Sequence, residues 1–183
     1  MLKNKNIVIG ITGGIAAYKA CDIVSYLQKQ EANINVIMTK NATKFISPIT
    51  LETLSKNKVI TDMFESPSHF DVKHISLAKK ADLFLIVPAT ANIIGKVANG
   101  IADDMLSTTI MATRKKVIFA PAMNQQMYEN PIVQENIRKL KKYGYTFIEP
   151  EVGILACGDT AIGKLASKET IIDTVLEILK EEN

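Results

Sequence analysis

The chain has only two cysteines, two histidines and no tryptophan. The cysteines are too few for a protein that depends on disulfides or on a zinc site with four cysteine ligands. Its two cysteines, Cys21 and Cys157, lie far apart. This spacing supports neither a disulfide framework nor a zinc site with four cysteine ligands, so a reducing, cytoplasmic compartment is expected. Only two histidines occur among the 183 residues, and a catalytic role for either must therefore be argued from its position.

An excess of one charge and a long apolar run are missing as well. The 22 lysines and arginines are nearly balanced by 19 aspartates and glutamates, which leaves a formal net charge of +3. So small a charge predicts no nucleic-acid or membrane partner. No segment approaches the roughly 18 apolar residues that a membrane span needs. The hydrophobic content of 47% predicts instead a single globular domain over residues 1–183.

Short apolar runs alternate along the chain with longer segments of helical periodicity. Runs that are apolar on both faces are typical of buried parallel strands. Their alternation with helices predicts an α/β fold in which three layers surround a mostly parallel sheet. The predicted strands are residues 7–12, 34–39, 83–87, 117–120 and 145–148, and the last helix is expected over residues 167–180.

The carboxyl ends of the strands are where an open parallel sheet binds its ligand. Gly13 and Gly14 follow the first strand and precede a helix, where backbone N–H groups favour an anion such as phosphate. No acidic residue ends the second strand and no Walker loop occurs, so NAD and ATP are disfavoured. Thr39 and Thr90 suit the hydroxyls of a mononucleotide such as FMN. The alternative is a glycine turn that serves only chain geometry.

A few reactive or polar side chains are candidates for chemistry. His74 begins a helical segment, and the alternative is a surface or capping histidine. Asn124 follows the fourth predicted strand and can bind a carboxylate through its amide, although it can equally cap the next helix. Cys157 lies in residues 156–163, which lack strand or helix periodicity, so its thiol is either an accessible proton donor or idle. Cys21 is expected in the core.

Five segments also carry a resemblance to a known family. They are GITGGIAAYKA at 10–20, HISLAKKADLFLIVPATAN at 74–92, GIADDMLSTT at 100–109, PAMNQQMYENP at 121–131 and ACGDTAIGKLA at 156–166. In this order and spacing they resemble the homo-oligomeric flavin-containing cysteine decarboxylases. Within that family the branch of coenzyme A biosynthesis is the most similar, and the resemblance covers nearly the whole chain.

The resemblance implies a Rossmann-like flavoprotein fold with FMN as the cofactor. The implied catalytic residues are His74, which assists oxidation of the substrate thiol, Asn124, which holds the carboxylate, and Cys157, which donates a proton from a mobile loop. Carried over position by position, the implied FMN-binding residues are Gly13, Gly14, Ile15, Thr39, Thr90, Ala91 and Asn92, with Ala122 near the flavin.

The reaction that the resemblance implies is the decarboxylation of 4'-phosphopantothenoylcysteine to 4'-phosphopantetheine. It passes through a thioaldehyde and an enethiolate and is redox-neutral overall. Family members form trimers, or dodecamers of trimers, with FMN between subunits, and a separate synthetase is expected to make the substrate. Two alternatives stay open: a peptidyl-cysteine decarboxylase of lantibiotic maturation, and a non-catalytic regulatory binding subunit.

The chain departs from the family pattern at four positions. Ile93 stands in place of a threonine and Tyr128 in place of a tryptophan. In the last segment, Ala161 replaces a glycine and Lys164 an arginine. A lysine keeps the positive charge but loses the bidentate contact of a guanidinium group. These last two departures therefore bear on substrate affinity.

Overall fold

The computed structural model describes residues 2–64, 72–156 and 158–181. Five strands form a parallel sheet in the order β2-β1-β3-β4-β5. Each lies within one or two residues of a predicted strand, because each is a short apolar run bounded by polar or small residues. The strands are β1 (Asn6–Ile11), β2 (Asn33–Met38), β3 (Leu83–Ala89), β4 (Lys116–Pro121) and β5 (Thr146–Phe147).

The described residues also form eight α-helices. No helix among them is long and apolar enough to cross a membrane. The last helix lies one residue from its predicted bounds. The helices are α1 (Ala20–Lys29), α2 (Pro48–Ser55), α3 (Lys73–Lys80), α4 (Ala91–Ala98), α5 (Met105–Ala112), α6 (Gln125–Tyr128), α7 (Pro131–Lys142) and α8 (Lys168–Glu181).

Two hydrophobic cores lie on opposite faces of the sheet. Alternate side chains of a strand enter different cores, so that Ile9 and Leu85 pack with α1, α2 and α8. Val8 and Phe84 pack on the other face with α4, α5 and α7. Because both faces are covered, the central strands are apolar throughout their length. The prediction of a three-layer α/β fold with a mostly parallel sheet is confirmed.

A small antiparallel hairpin follows the main sheet, and the sequence analysis did not predict it. It consists of β6 (Glu151–Ile154) and β7 (Thr160–Lys164). The expectation that residues 156–163 lack regular structure is wrong for residues 160–163, which belong to β7. Glycines in both strands interrupt the alternation of apolar and polar residues by which a strand is recognised. Cys157 lies outside the described residues.

Candidate active site

The strand order places a topological switch point between β1 and β3. The chain leaves β1 to form β2 on one side and later returns to form β3 on the other, and such a point is where open α/β sheets bind ligands. A cleft of about 570 Å³ opens at the carboxyl ends of β1, β3 and β4. Its walls are the turn at residues 13–16, the loops at 90–91 and 122–124, and hairpin residues 154–156 and 163–165.

The glycine turn after β1 forms one end of the cleft, and its shape depends on a close backbone contact. A Cβ atom on Gly13 would lie 2.4 Å from Cβ of Asn41, so no larger residue fits there. Thr39, at the end of β2, donates its N–H to the carbonyl of Ile11 over 3.0 Å. Its hydroxyl accepts the N–H of Ala42 over 3.3 Å. The loop that contains Thr39 therefore packs against the turn, and its residues are not among those that line the cleft.

A buried threonine joins the turn to the neighbouring loop. The Thr12 hydroxyl donates to the carbonyl of Pro88 over 2.6 Å and accepts the N–H of Thr90 over 3.1 Å. Thr90 lines the cleft and caps α4, where its hydroxyl accepts the N–H of Ile93. Thr12 thus sets the spacing of two cleft walls. The sequence analysis assigned Thr12 only to the end of a strand. A polar residue at the carboxyl end of an otherwise apolar strand is the signal that could have marked it as part of the site.

Asn124 fulfils one of its two predicted roles directly. It is the N-cap of α6, and its Oδ1 accepts the N–H of Gln126 over 2.9 Å. The side chain is exposed and lines the cleft beside Met127. Because the cap uses the amide oxygen, the N–H donors are the part of this amide that suits a carboxylate. The capping role and the carboxylate-binding role are therefore compatible.

The other end of α6 is anchored by a polar network. The buried Tyr128 donates its hydroxyl to Oε2 of Glu149 over 2.5 Å, and Lys141 donates to Oε1 over 2.6 Å. Burial and the hydrogen bond to Glu149 raise the pKa of Tyr128, which stays a donor. Burial opposes ionisation of Glu149, but the bonds from Lys141 and Tyr128 outweigh it and lower its pKa. The helix that carries Asn124 is therefore held at both ends.

The hairpin is joined to the Asn124 loop through backbone atoms. The N–H of Met123 donates to the carbonyl of Gly163 over 3.0 Å. Gly163 has a φ of +127°, and a Cβ atom there would lie 2.1 Å from the carbonyl oxygen of Met123. Only glycine combines this dihedral angle with this approach. Ile154, on β6, faces the cleft from the hairpin side.

The segment 100–109 has a structural role. Asp104 caps α5 by accepting the N–H of Ser107 over 2.8 Å. Lys96 contacts the carboxylates of Asp103 and Asp104 over 2.6 and 2.8 Å. Burial opposes ionisation of Asp104, but its bonds with Lys96 and Ser107 dominate and lower its pKa. This network ties α4 to α5, outside the cleft.

Most, but not all, of the predicted site residues meet in the cleft. Asn92 is exposed in the first turn of α4, and half-buried His74 is in α3; neither lines the cleft. Cys21 is half-buried against the core. Burial and, to a smaller extent, the negative charge of Asp22 raise the pKa of its thiol. The predicted residues that do line the cleft are Gly13, Gly14, Ile15, Thr90, Ala91, Ala122 and Asn124.

The chemistry of the lining suits a ligand with an apolar ring and an anionic group. Its charged members are Lys19 and Lys164, and the described lining includes no carboxylate. Ile15, Met127 and Ile154 are large apolar residues that remain substantially exposed around it. Concave sites of this size, with apolar walls and a few polar groups, are typical of cofactor and substrate sites.

Comparison with known proteins identifies the class of ligand. The sequence model of the flavoprotein family matches residues 1–180. The chain belongs to the flavoprotein family. Membership in this family supports a flavin as the cofactor, and the cleft described above meets its chemical requirements with apolar walls and a positively charged, glycine-lined end.

Two curated proteins are closely similar to this chain in sequence. The coenzyme A biosynthesis bifunctional protein CoaBC of Borreliella burgdorferi is 53% identical over 100% of this chain and 47% of its own length. The probable phosphopantothenoylcysteine decarboxylase of Streptococcus mutans is 46% identical over 96% of this chain and 99% of that protein. The chain thus spans about half the length of the bifunctional relative.

A solved structure shares the fold. A cysteine-to-serine mutant of PPC decarboxylase complexed with pantothenoylaminoethenethiol superposes with a TM-score of 0.88 and is 29% identical. The superposition covers 96% of this chain and 98% of that one. The expected Rossmann-like flavoprotein fold is therefore confirmed.

Proposed function

We propose that this flavoprotein decarboxylates 4'-phosphopantothenoylcysteine to 4'-phosphopantetheine, a step of coenzyme A biosynthesis, with FMN as its cofactor. One observation carries the proposal. A single cleft combines the glycine turn, Thr90 and Asn124 in a chain that aligns with nearly the full length of a probable phosphopantothenoylcysteine decarboxylase. The decarboxylase activity, the substrate and the form of the flavin are all parts of this proposal.

The cleft favours FMN over a dinucleotide. A dinucleotide site of this topology places an acidic residue after the second strand to bind a ribose, whereas this chain has Thr39 and Lys40 there. The turn at Gly13 and Gly14 would hold the phosphate. Ile15, Thr90 and Ala91 would border the rest of the cofactor, with Ala122 near the ring. Asn92 and Thr39 would act from just outside the cleft.

Loss of carbon dioxide from a cysteine carboxylate requires an electron sink next to it. Bound flavin supplies reversible two-electron oxidation of the thiol-bearing carbon, so that decarboxylation leaves a stabilised enethiolate. In this scheme the Asn124 N–H groups orient the carboxylate. Cys157 then donates the proton that completes the product. Because the oxidation is reversed before product release, no external oxidant is consumed.

His74 fits this scheme when a second subunit is present. It lies in α3, away from the cleft of its own chain. Val72, Ile75 and Met111 are apolar and exposed on or beside α3 and α5, an arrangement that favours burial against another copy. We propose a homo-oligomer, a trimer or a dodecamer of trimers, in which His74 completes the cleft of a neighbouring subunit.

Some expectations of the sequence analysis stay predictions. We predict that residues 1–183 form one FMN-binding decarboxylase domain, that a separate synthetase makes the substrate, and that the protein is cytoplasmic. The similarity to a bifunctional protein is consistent with a synthetase that acts just before this enzyme.

The direct test is turnover by the flavin-loaded protein. We expect purified protein incubated with 4'-phosphopantothenoylcysteine to release carbon dioxide and 4'-phosphopantetheine in equal amounts without added oxidant. A cysteine-ended peptide serves as the competing substrate. Absence of both products, or faster turnover of the peptide, would overturn the proposed substrate.

The role of Asn124 can be separated from its role as a cap. Asn124→Asp keeps a good N-cap residue but replaces the N–H donors with a negative charge. We expect decarboxylation to fall at least about 100-fold, because a carboxylate would face a carboxylate. Asn130→Asp is the matched control, since Asn130 caps α7 by accepting the N–H of Ile132 over the same 2.9 Å. Equal activity losses in both variants would contradict the assignment.

A further inference from the structure

The two positive charges of the cleft lie on different walls. Lys19 is the last residue of a short 3₁₀ helix (Ile15–Lys19) that follows Gly13 and Gly14, on the side where the proposed function places the cofactor phosphate. Lys164 is the last residue of β7 and lies on the hairpin wall. A cleft with two cations and no described carboxylate in its lining suits a second anionic group besides that of the cofactor.

The Lys164 side chain has a defined position on the hairpin. It extends across β6 above Gly153, where a Cβ atom would lie 2.6 Å from its Cδ and 3.3 Å from its Nζ. The lysine therefore occupies the space that a side chain at position 153 would fill. The residue is half-buried and is one of those that line the cleft, and its methylene groups pack over Gly153.

No carboxylate among the described residues forms an ion pair with the Lys164 ammonium group. Glu151 is its partner across the hairpin, but Oε1 of Glu151 accepts the N–H of Ser167 over 2.7 Å. In the part of the chain that the structure describes, no ion pair forms at Lys164. Lys96 and Lys141, by contrast, are both paired with carboxylates. Lys164 thus offers a positioned charge without an internal partner.

Lys164 is connected to Asn124 through the hairpin contact. Glu151 pairs with Lys164 and Val152 with Ile162, so Gly163 is the extra residue of a β-bulge. Its carbonyl accepts the N–H of Met123. The strand that ends at Lys164 is therefore joined to the loop that carries Asn124, while the Lys164 side chain extends across β6 above Gly153. This suits a substrate that is anionic at two separate places.

We propose that Lys164 binds the phosphate group of the substrate and makes the enzyme select the phosphorylated molecule. This inference rests on the proposed function, in which Asn124 holds the carboxylate at the reacting end. A charge-assisted hydrogen bond to phosphate accounts for about a 10- to 100-fold difference in affinity. We therefore expect the protein to bind the phosphorylated ligand about 10 to 100 times more tightly than its dephosphorylated counterpart.

The test measures binding as well as turnover. The flavin-loaded protein is titrated with 4'-phosphopantetheine and with pantetheine, and the ratio of the two dissociation constants is recorded. We expect a ratio of about 10 to 100 in the wild type, near 1 in Lys164→Gln, and close to the wild-type value in Lys164→Arg. For the decarboxylation substrates, Lys164→Gln should raise KM for the phosphorylated form only, with kcat unchanged.

Two further variants locate the effect. Gly153→Ala keeps the charge but removes the space that the lysine occupies, so the ratio should fall; an unchanged ratio would contradict the positioning argument. Lys19→Gln is the matched cleft control and should keep the wild-type ratio. The proposal is overturned if Lys19→Gln abolishes the ratio, if Lys164→Gln weakens both ligands equally, or if Lys164→Gln loses its flavin.

The binding experiment also distinguishes this inference from the proposed function. A Lys164-dependent ratio in a protein that releases no carbon dioxide would refute the decarboxylation and keep the phosphate contact. Turnover of the phosphorylated substrate with the same selectivity in Lys164→Gln would keep the function and refute the contact. A wild type that binds both probes equally, or neither, would also refute it.

Discussion

Replacement of Thr12 by valine tests whether one hydroxyl sets the spacing of the cleft walls. Thr12 is 2% exposed, and valine has nearly the same shape but no hydrogen-bonding group. The change removes the donor to the Pro88 carbonyl and the acceptor for the Thr90 N–H. The buried Pro88 carbonyl and the part-buried Thr90 N–H then both lack this partner.

The size of the effect follows from the two lost hydrogen bonds. Each unsatisfied buried backbone group costs about 1–3 kcal/mol, and the added methyl group recovers about 1 kcal/mol. The free energy of unfolding should therefore fall by about 1–5 kcal/mol. For a domain of this size, each kcal/mol lowers Tm by about 2–4 °C, so Thr12→Val should melt about 2–20 °C below the wild type.

The flavin should be affected as well, because Thr12 joins the Gly13 turn to the Thr90 loop. We expect the flavin dissociation constant of Thr12→Val to rise at least about tenfold, which corresponds to about 1.4 kcal/mol. Thermal unfolding of the flavin-free protein and fluorescence titration with FMN measure the two effects separately.

Two controls define what would refute this reasoning. Thr12→Ser keeps the hydroxyl and should keep flavin affinity. Thr109→Val removes another buried hydroxyl, which donates to the Met105 carbonyl over 2.6 Å, and should leave flavin binding unchanged because α5 is outside the cleft. A Thr12→Val protein that melts within about 2 °C of the wild type and binds flavin equally would show that the bridge is unimportant.

Gly163→Ala should lower turnover at least about tenfold, since its Cβ would lie 2.1 Å from the carbonyl oxygen of Met123 and displace the hairpin. Gly100→Ala, at a φ of +68° with open space around it, is the activity control; equal losses would refute the contact argument. Glu149→Gln should be less stable than the wild type near neutral pH. A carboxylate whose pKa is lowered stabilises the fold above its ordinary value of 4.5 and loses that effect as the pH falls through the folded pKa. The urea midpoint of Glu149→Gln should therefore lie below that of the wild type at about pH 7, and the two midpoints should be nearly equal at about pH 3. The same difference at both pH values would contradict the assignment.

The fold and much of the site could be read from local patterns in the sequence. The strands of the main sheet are apolar on both faces, and this pattern survives because both faces are buried by helices. The residues that follow β1, β3 and β4 could then be assigned to one edge, since parallel strands end together. This pattern predicts that Gly13, Thr90 and Asn124 lie at one edge of the sheet, and all three line the cleft.

The hairpin and the connecting contacts could not be read in this way. β6 and β7 contain glycines where strand periodicity requires side chains, and those glycines are explained by long-range neighbours. Gly163 accommodates Met123 and Gly153 accommodates Lys164. Neither partner is close in sequence, so no local pattern records the contact.

The sequence by itself therefore determined the layer architecture, the edge at which a ligand binds and, through its motifs, the flavoprotein family. Each of these depends on periodicity or on short segments. Only the tertiary structure decided that Thr12 joins two walls, that the loop of Thr39 packs against the glycine turn without lining the cleft, and that His74 lies away from its own cleft. These are relations between distant segments, and they depend on how the helices and loops pack on the sheet.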